Sequence, residues 1–115
     1  MSEQHIEKRM ELERRVVRHL IRTAKANGYA VTKVNDGEEV VKVSTEAEAM
    51  EVVFSVDECH IYFKHPDEPK AHCAFIVLGN DGWDAIADSS LGGKWDAVMD
   101  ECSEYADKIE EAQPC

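Results

Sequence analysis

His60-Ile61-Tyr62-Phe63-Lys64-His65, Cys73-Ala74-Phe75-Ile76-Val77-Leu78 and Trp83-Asp84-Ala85-Ile86-Ala87-Asp88 are three short β-prone runs separated by turn-forming residues. Pro66-Asp67-Glu68-Pro69 ends the first run, and Gly79-Asn80-Asp81-Gly82 joins the second to the third. Proline stops a strand ladder and Asn-Asp-Gly clusters reverse a chain tightly, so this stretch predicts an antiparallel meander. The middle run is almost continuously apolar, which predicts a central strand covered on both faces.

Upstream, Tyr29–Val34 and Glu38–Val43 flank Asn35-Asp36-Gly37 and predict a hairpin. Thr45 caps a short helix from Glu46 to about Phe54, with Glu48 at the third position of a capping box. Ala47, Met50, Val53 and Phe54 form its expected buried side. Before these strands, residues 3–27 gather Ile6, Met10, Val16, Val17, Leu20, Ile21 and Ala24 on one helical face. Ser2 suits the N-cap, and Gly28 supplies a left-handed stop. Lys94–Glu111 forms the last helix, with Trp95, Val98, Met99, Cys102, Ala106 and Ile109 as its apolar stripe. Residues 89–93 read as a flexible connection, and residues from about 112 to 115 as a flexible tail.

The expectation is a single α+β domain over residues 1–115. Its order is α-β-β-α-β-β-β-α, with a mainly antiparallel five-stranded sheet and helices packed on it.

Composition narrows the function classes. Hydrophobic residues make up 43% and charged residues 32%, as in ordinary globular domains, and no apolar run reaches a membrane span. The net charge of −11 opposes direct binding of nucleic acid. That charge is segregated. All five arginines lie in the first 25 residues, which sum to +3, while the remaining residues sum to −14. Arg14, Arg15, Arg18 and Arg22 share the polar side of the first helix and are interaction candidates.

Cys59, His60, His65, His72 and Cys73 cluster in sequence, but strand alternation turns adjacent members to opposite faces. No metal site or cofactor is expected there. The four cysteines match no disulfide or zinc framework, and the N-terminus lacks an export-signal layout. Reduced thiols in a cytoplasm are therefore expected. Asp84 and Asp88, read on one strand face, would stand roughly 13 Å apart. That exceeds the ~5–9.5 Å of paired hydrolytic carboxyls, so no catalytic residues are assigned. Trp95 reads as core. Trp83, Asp84 and Asp88 join the arginines as interaction candidates, because aromatics beside turns often anchor interfaces.

The segment Val77-Leu78-Gly79-Asn80-Asp81-Gly82-Trp83-Asp84-Ala85-Ile86-Ala87-Asp88-Ser89-Ser90 resembles one found in uncharacterised small proteins of bacterial phages, prophages and other mobile elements. Those proteins carry a G-N-D-G-aromatic-D-V-I-x-D-Y-S segment. Asp36-Gly37-Glu38-Glu39 and Asp57-Glu58-Cys59-His60-Ile61-Tyr62-Phe63 match two further pieces of the pattern, and Ser89 stands where the group often has tyrosine. The resemblance implies an origin in a bacterial cytoplasm, from a mobile element, and carries no catalytic role across to these residues.

The functional expectation is a non-enzymatic protein–protein interaction module. Its partner would be a second copy, forming a homodimer, or a host or defence protein. Two alternatives compete: an acidic mimic of nucleic acid that blocks a DNA-binding protein, and a small enzyme using Asp84, Asp88 or the His/Cys cluster.

Overall fold

A computed structural model describes residues 3–113, with side chains from Ile6 onward. The first element, α1 (Glu3–Ala26), is the long amphipathic helix its periodicity predicts. Gly28 ends it at φ +91. The Gly28 amide donates to Lys25 O (3.0 Å) and the Tyr29 amide to Ala24 O (2.9 Å), the bond pair of a Schellman motif. The Ser2 cap lies outside the described residues.

The hairpin follows as β1 (Ala30–Asn35) and β2 (Val40–Lys42). Asp36 Oδ1 accepts the Glu38 and Glu39 amides at 2.9 and 2.8 Å, which fixes the turn. Next, α2 (Glu46–Val53) is capped by Thr45, whose hydroxyl accepts the Glu48 amide. Glu48 reaches back to the Ser44 amide (3.1 Å) and hydroxyl (2.9 Å), one residue earlier than a standard capping box. Ala49 and Val53 are the buried residues of α2, whereas Ala47 is exposed. The helix turns its 49/53 pair toward the sheet, which corrects the expected phase at Ala47.

β3 (Glu58–Lys64), β4 (His72–Val77) and β5 (Ile86–Ser89) complete one antiparallel sheet of order β2-β1-β3-β4-β5. Finally α3 (Trp95–Ala112) returns across the domain. The fold is the single α+β domain, in the element order read from the sequence.

Register explains the core. Val34, Ile61 and Ala74 lie opposite one another on β1, β3 and β4. With Phe63 and Ile76 they join Val16, Val17, Leu20, Ala24, Val98 and Trp95 in one buried cluster. The other face of β4 is less covered than its hydrophobicity suggested, since Cys73, Phe75 and Val77 are half-buried. Their shelter is cross-strand: His60 stacks on Phe75 at 4.6 Å, and the Lys33 ammonium sits over the Tyr62 ring next to them.

Two further corrections concern β5 and α1. The third run of the meander is a strand from Ile86, while Trp83 and Asp84 belong to the preceding turn. Asp84 Oδ1 accepts the Asp81 and Gly82 amides at 3.1 and 3.3 Å, which holds residues 81–84 curled. In α1, Ile6 is exposed and the buried stripe starts at Leu12, adding Glu13, a charged residue only 2% exposed. Glu13 Oε2 accepts the Gly79 amide at 2.7 Å, and Oε1 lies 3.7 Å from Arg9 Nε. A buried carboxylate survives only when paired and hydrogen-bonded. The sheet turn supplies the bond, and the preceding helical turn supplies the charge.

Gly82 makes that contact possible. A Cβ there would lie 2.8 Å from Leu12 Cβ and 3.1 Å from Arg9 O. Gly37 has a similar φ (+98) but nothing within 4 Å. Gly37→Ala should therefore cost about 1–3 kcal/mol from backbone strain alone. Gly82→Ala should cost that plus about 1–3 kcal/mol of overpacking. Urea midpoints of the two variants measure the difference; equal midpoints would mean that the α1–turn contact is slack.

Candidate functional site

Two places gather functional groups. In one, the loop between β3 and β4 folds over the start of β1. His65 is buried, and its Nδ1 accepts the Asp67 amide at 3.0 Å. Lys64 Nζ donates to the carbonyls of His65 and Glu68. These bonds present Glu68 to Tyr29, whose hydroxyl donates to Glu68 Oε1. Glu68 Oε2 lies 3.2 Å from His72 Nε2, and His72 Nδ1 lies 2.9 Å from Ser90 Oγ. The His72 ring stacks on Trp95 at 5.2 Å, and Tyr29 meets Trp95 edge-on at 5.1 Å.

Ser90 Oγ accepts the Cys73 amide at 3.0 Å and lies 3.4 Å from the Cys73 carbonyl, so it joins the backbone of β4 to the His72 ring. The order serine–histidine–carboxylate has the connectivity of a nucleophile relay. Ser90 Oγ is bonded to the Cys73 backbone as well as to His72. The chain of bonds works as a clamp tying together the 65–71 loop, the end of β5 and the start of β1. It also corrects the reading of residues 89–93 as flexible at Ser90, which is bonded to both backbone groups of Cys73.

The sequence cluster of histidines and cysteines is dispersed by the fold. Cys59 is buried in the core, His60 lies against Phe75, and His65 and His72 contact the edges of Tyr29. Among the described residues no group of three or more His, Cys, Asp or Glu is placed to hold a metal ion. Burial pushes the thiols of Cys59 and Cys102 up to about 12, helped by Asp36 and Glu101 respectively, so both are poor nucleophiles near neutral pH.

The second place is a groove of about 540 Å³ between β5 and α3. Ile86, Ala87, Met99, Cys102 and Ala106 form its apolar lining, together with Trp83 and Leu91. Leu91 is 82% exposed. Asp84 and Asp88 stand on the β5 side, Asp100 and Asp107 on the α3 side, and Glu110 along the helix. No lysine or arginine lines it. Three interaction candidates thus meet at one site: Trp83, Asp84 and Asp88. The sequence stripe of α3 already contained Met99 and Ala106, but nothing local showed that they would be only partly covered and line an opening.

The arginine candidates are elsewhere. Arg22 binds Glu46 through two hydrogen bonds of 2.7 and 3.1 Å, Arg18 Nε lies 3.7 Å from Glu46 Oε2, and Arg14 covers the Phe54 ring. Arg15 is exposed. Much of the basic face is therefore used within the chain, against α2. On the other flank of α1, His19 stacks on Tyr105 of α3 at 3.9 Å.

Comparison with protein-family models, with curated proteins and with solved structures finds no match. Among the described residues no helix is long and apolar enough to cross a membrane.

The clamp predicts a pH signature. Burial, then the bond to Glu68, pushes the Tyr29 hydroxyl from 10.0 up to about 12. A raised folded-state value means that this contribution to stability is intact below pH 10 and lost as pH rises toward 12. The Tyr29 hydroxyl, followed by His72, holds the Glu68 carboxyl below its ordinary value. Its contribution is present above the ordinary carboxylate range and lost as pH falls through the depressed value. Tyr29→Phe should therefore flatten the decline in urea midpoint between pH 10 and 12 relative to the parent protein. Parallel curves would show that Tyr29 is not coupled to folding.

Proposed function

We propose that the protein is a binding module whose β5–α3 groove receives a cationic segment of another protein. The observation that carries this reading is the groove's lining: apolar side chains of β5 and α3 together with five carboxylates and, among the described residues, no basic one. Apolar contact supplies affinity, while the carboxylates select charge and speed the encounter. The resemblance to mobile-element proteins directs the search toward basic host or defence proteins of bacteria.

Two neighbouring readings have less support. A nucleic-acid mimic needs carboxylates spread as a phosphate-like array over an exterior, whereas here five of them border an apolar trough. Homodimerisation through the arginine face would share Arg14, Arg18 and Arg22 with the Phe54 and Glu46 contacts they make within the chain.

The test is an amide-resolved NMR titration with a Lys/Leu-rich peptide, at 50 and 500 mM salt, on the parent and on Asp100→Lys/Asp107→Lys. Both aspartates are exposed on α3, so the fold should persist. Shifts should centre on residues 83–91 and 99–110, weaken at least tenfold at high salt, and weaken similarly on charge reversal. Shifts elsewhere, or indifference to charge reversal, would overturn the groove assignment. A molar mass that rises with protein concentration and collapses in the reversal variant would replace it with self-association.

A further inference from the structure

Resting on that groove reading, we infer that the occupant docks as an α-helix with an apolar stripe flanked on both sides by lysine or arginine, and not as an added strand. Open sheet edges ordinarily recruit strands, and β5 is one of the two outer strands of this sheet. Its edge is blunted in three ways. The strand has four residues. Its register slips, with Asp88 opposite Phe75 but Ile86 opposite Ile76, so Ala87 forms a bulge. Asp88 Oδ1 also accepts the Ser89 amide at 2.8 Å, which occupies a donor that an incoming strand would need.

The opposite wall suits a helix. Met99, Ser103, Ala106 and Glu110 of α3 face the groove, spaced four, three and four residues apart, so they form one row along the helix axis. At 1.5 Å per residue that row runs about 16 Å, or three turns of an accompanying helix. Ser103 and Ala106 are small enough for close approach, and Met99 adapts its shape to an apolar anchor. Asp100 and Asp107, seven residues apart, share the outer side of this row, while Asp84 and Asp88 border the far side. A helix lying between them meets negative charge on both flanks. Its cations therefore belong on either side of its apolar stripe, the arrangement of a basic amphipathic helix.

The test uses two 15-residue peptides of identical Leu/Lys/Arg content and a proline-substituted form of the first. The first places leucines at i, i+3, i+4 and i+7; the second alternates leucine and cation strictly; the third is the first with a central proline replacing a lysine. Binding is followed by Trp83 fluorescence, with Trp83→Phe as the blank, and by far-UV circular dichroism of the peptide. The first peptide should gain helical signal on binding and bind at least tenfold more tightly than the other two. Ala106→Trp, which fills the trough, should remove its binding, and Ser103→Arg provides a second block should that variant fold poorly. Equal or tighter binding of the alternating peptide overturns helical docking while leaving the cationic groove in place. Binding by none of them removes both.

Discussion

Burial of one sheet face under a helix of 24 residues is the constraint that organises this molecule. The row Val34–Ile61–Ala74 needs an apolar cover, and α1 provides it through Val16, Val17, Leu20 and Ala24. Docked in that rotation, α1 turns Glu13 inward as well. The buried carboxylate is tolerated because the Gly79 amide reaches it and Arg9 supplies opposite charge. The β4–β5 turn is thereby tied to the helix, and Gly82 sits where a side chain would collide with Leu12. That tied turn in turn sets the direction in which Trp83 and Asp84 leave the sheet.

The groove follows from a mismatch between α3 and the strand beside it. Trp95, Val98, Cys102 and Ile109 bury one side of α3 in the common core. The apolar stripe of α3 is wider than that contact, and a four-residue bulged strand cannot cover the remainder. Met99 and Ala106 are left lining an opening that aspartates also line. In the proposed reading, the same carboxylates that solvate this surface would discriminate among partners. The clamp of Tyr29, Glu68, His72 and Ser90 acts at a different end of the fold, holding the 65–71 loop down over Trp95.

Charge segregation in the chain has a partly internal purpose. Arg18 and Arg22 meet Glu46 at the start of α2, a residue in the first helical turn where a carboxylate also complements the helix dipole. Being exposed, these pairs add little stability individually. They link α2 to α1, and none of these arginines lines the acidic groove.

Local patterns made most of the fold legible. Period-3.6 stripes gave α1 and α3, β-branched runs beside Asn-Asp-Gly gave the hairpin, and Thr45 with Glu48 marked the start of α2, because each depends on residues within a few positions of one another. The site was legible only in pieces. Trp83, Asp84 and Asp88 stood out in sequence, but Asp84 belongs to a turn and not a strand, since its carboxylate bonds the amides just before it. Glu13 resembled any other surface glutamate until an amide 66 positions away captured it. Glu68, His72 and Ser90 carried no shared motif, because the loop and the strand end that unite them meet only after the sheet has formed. Sequence thus determined which segments are helices and strands and which faces are apolar, properties of short-range periodicity. Tertiary structure alone decided which charges are buried, which apolar residues remain uncovered and where carboxylates converge, because burial and electrostatic environment depend on neighbours that the chain brings together only when it packs.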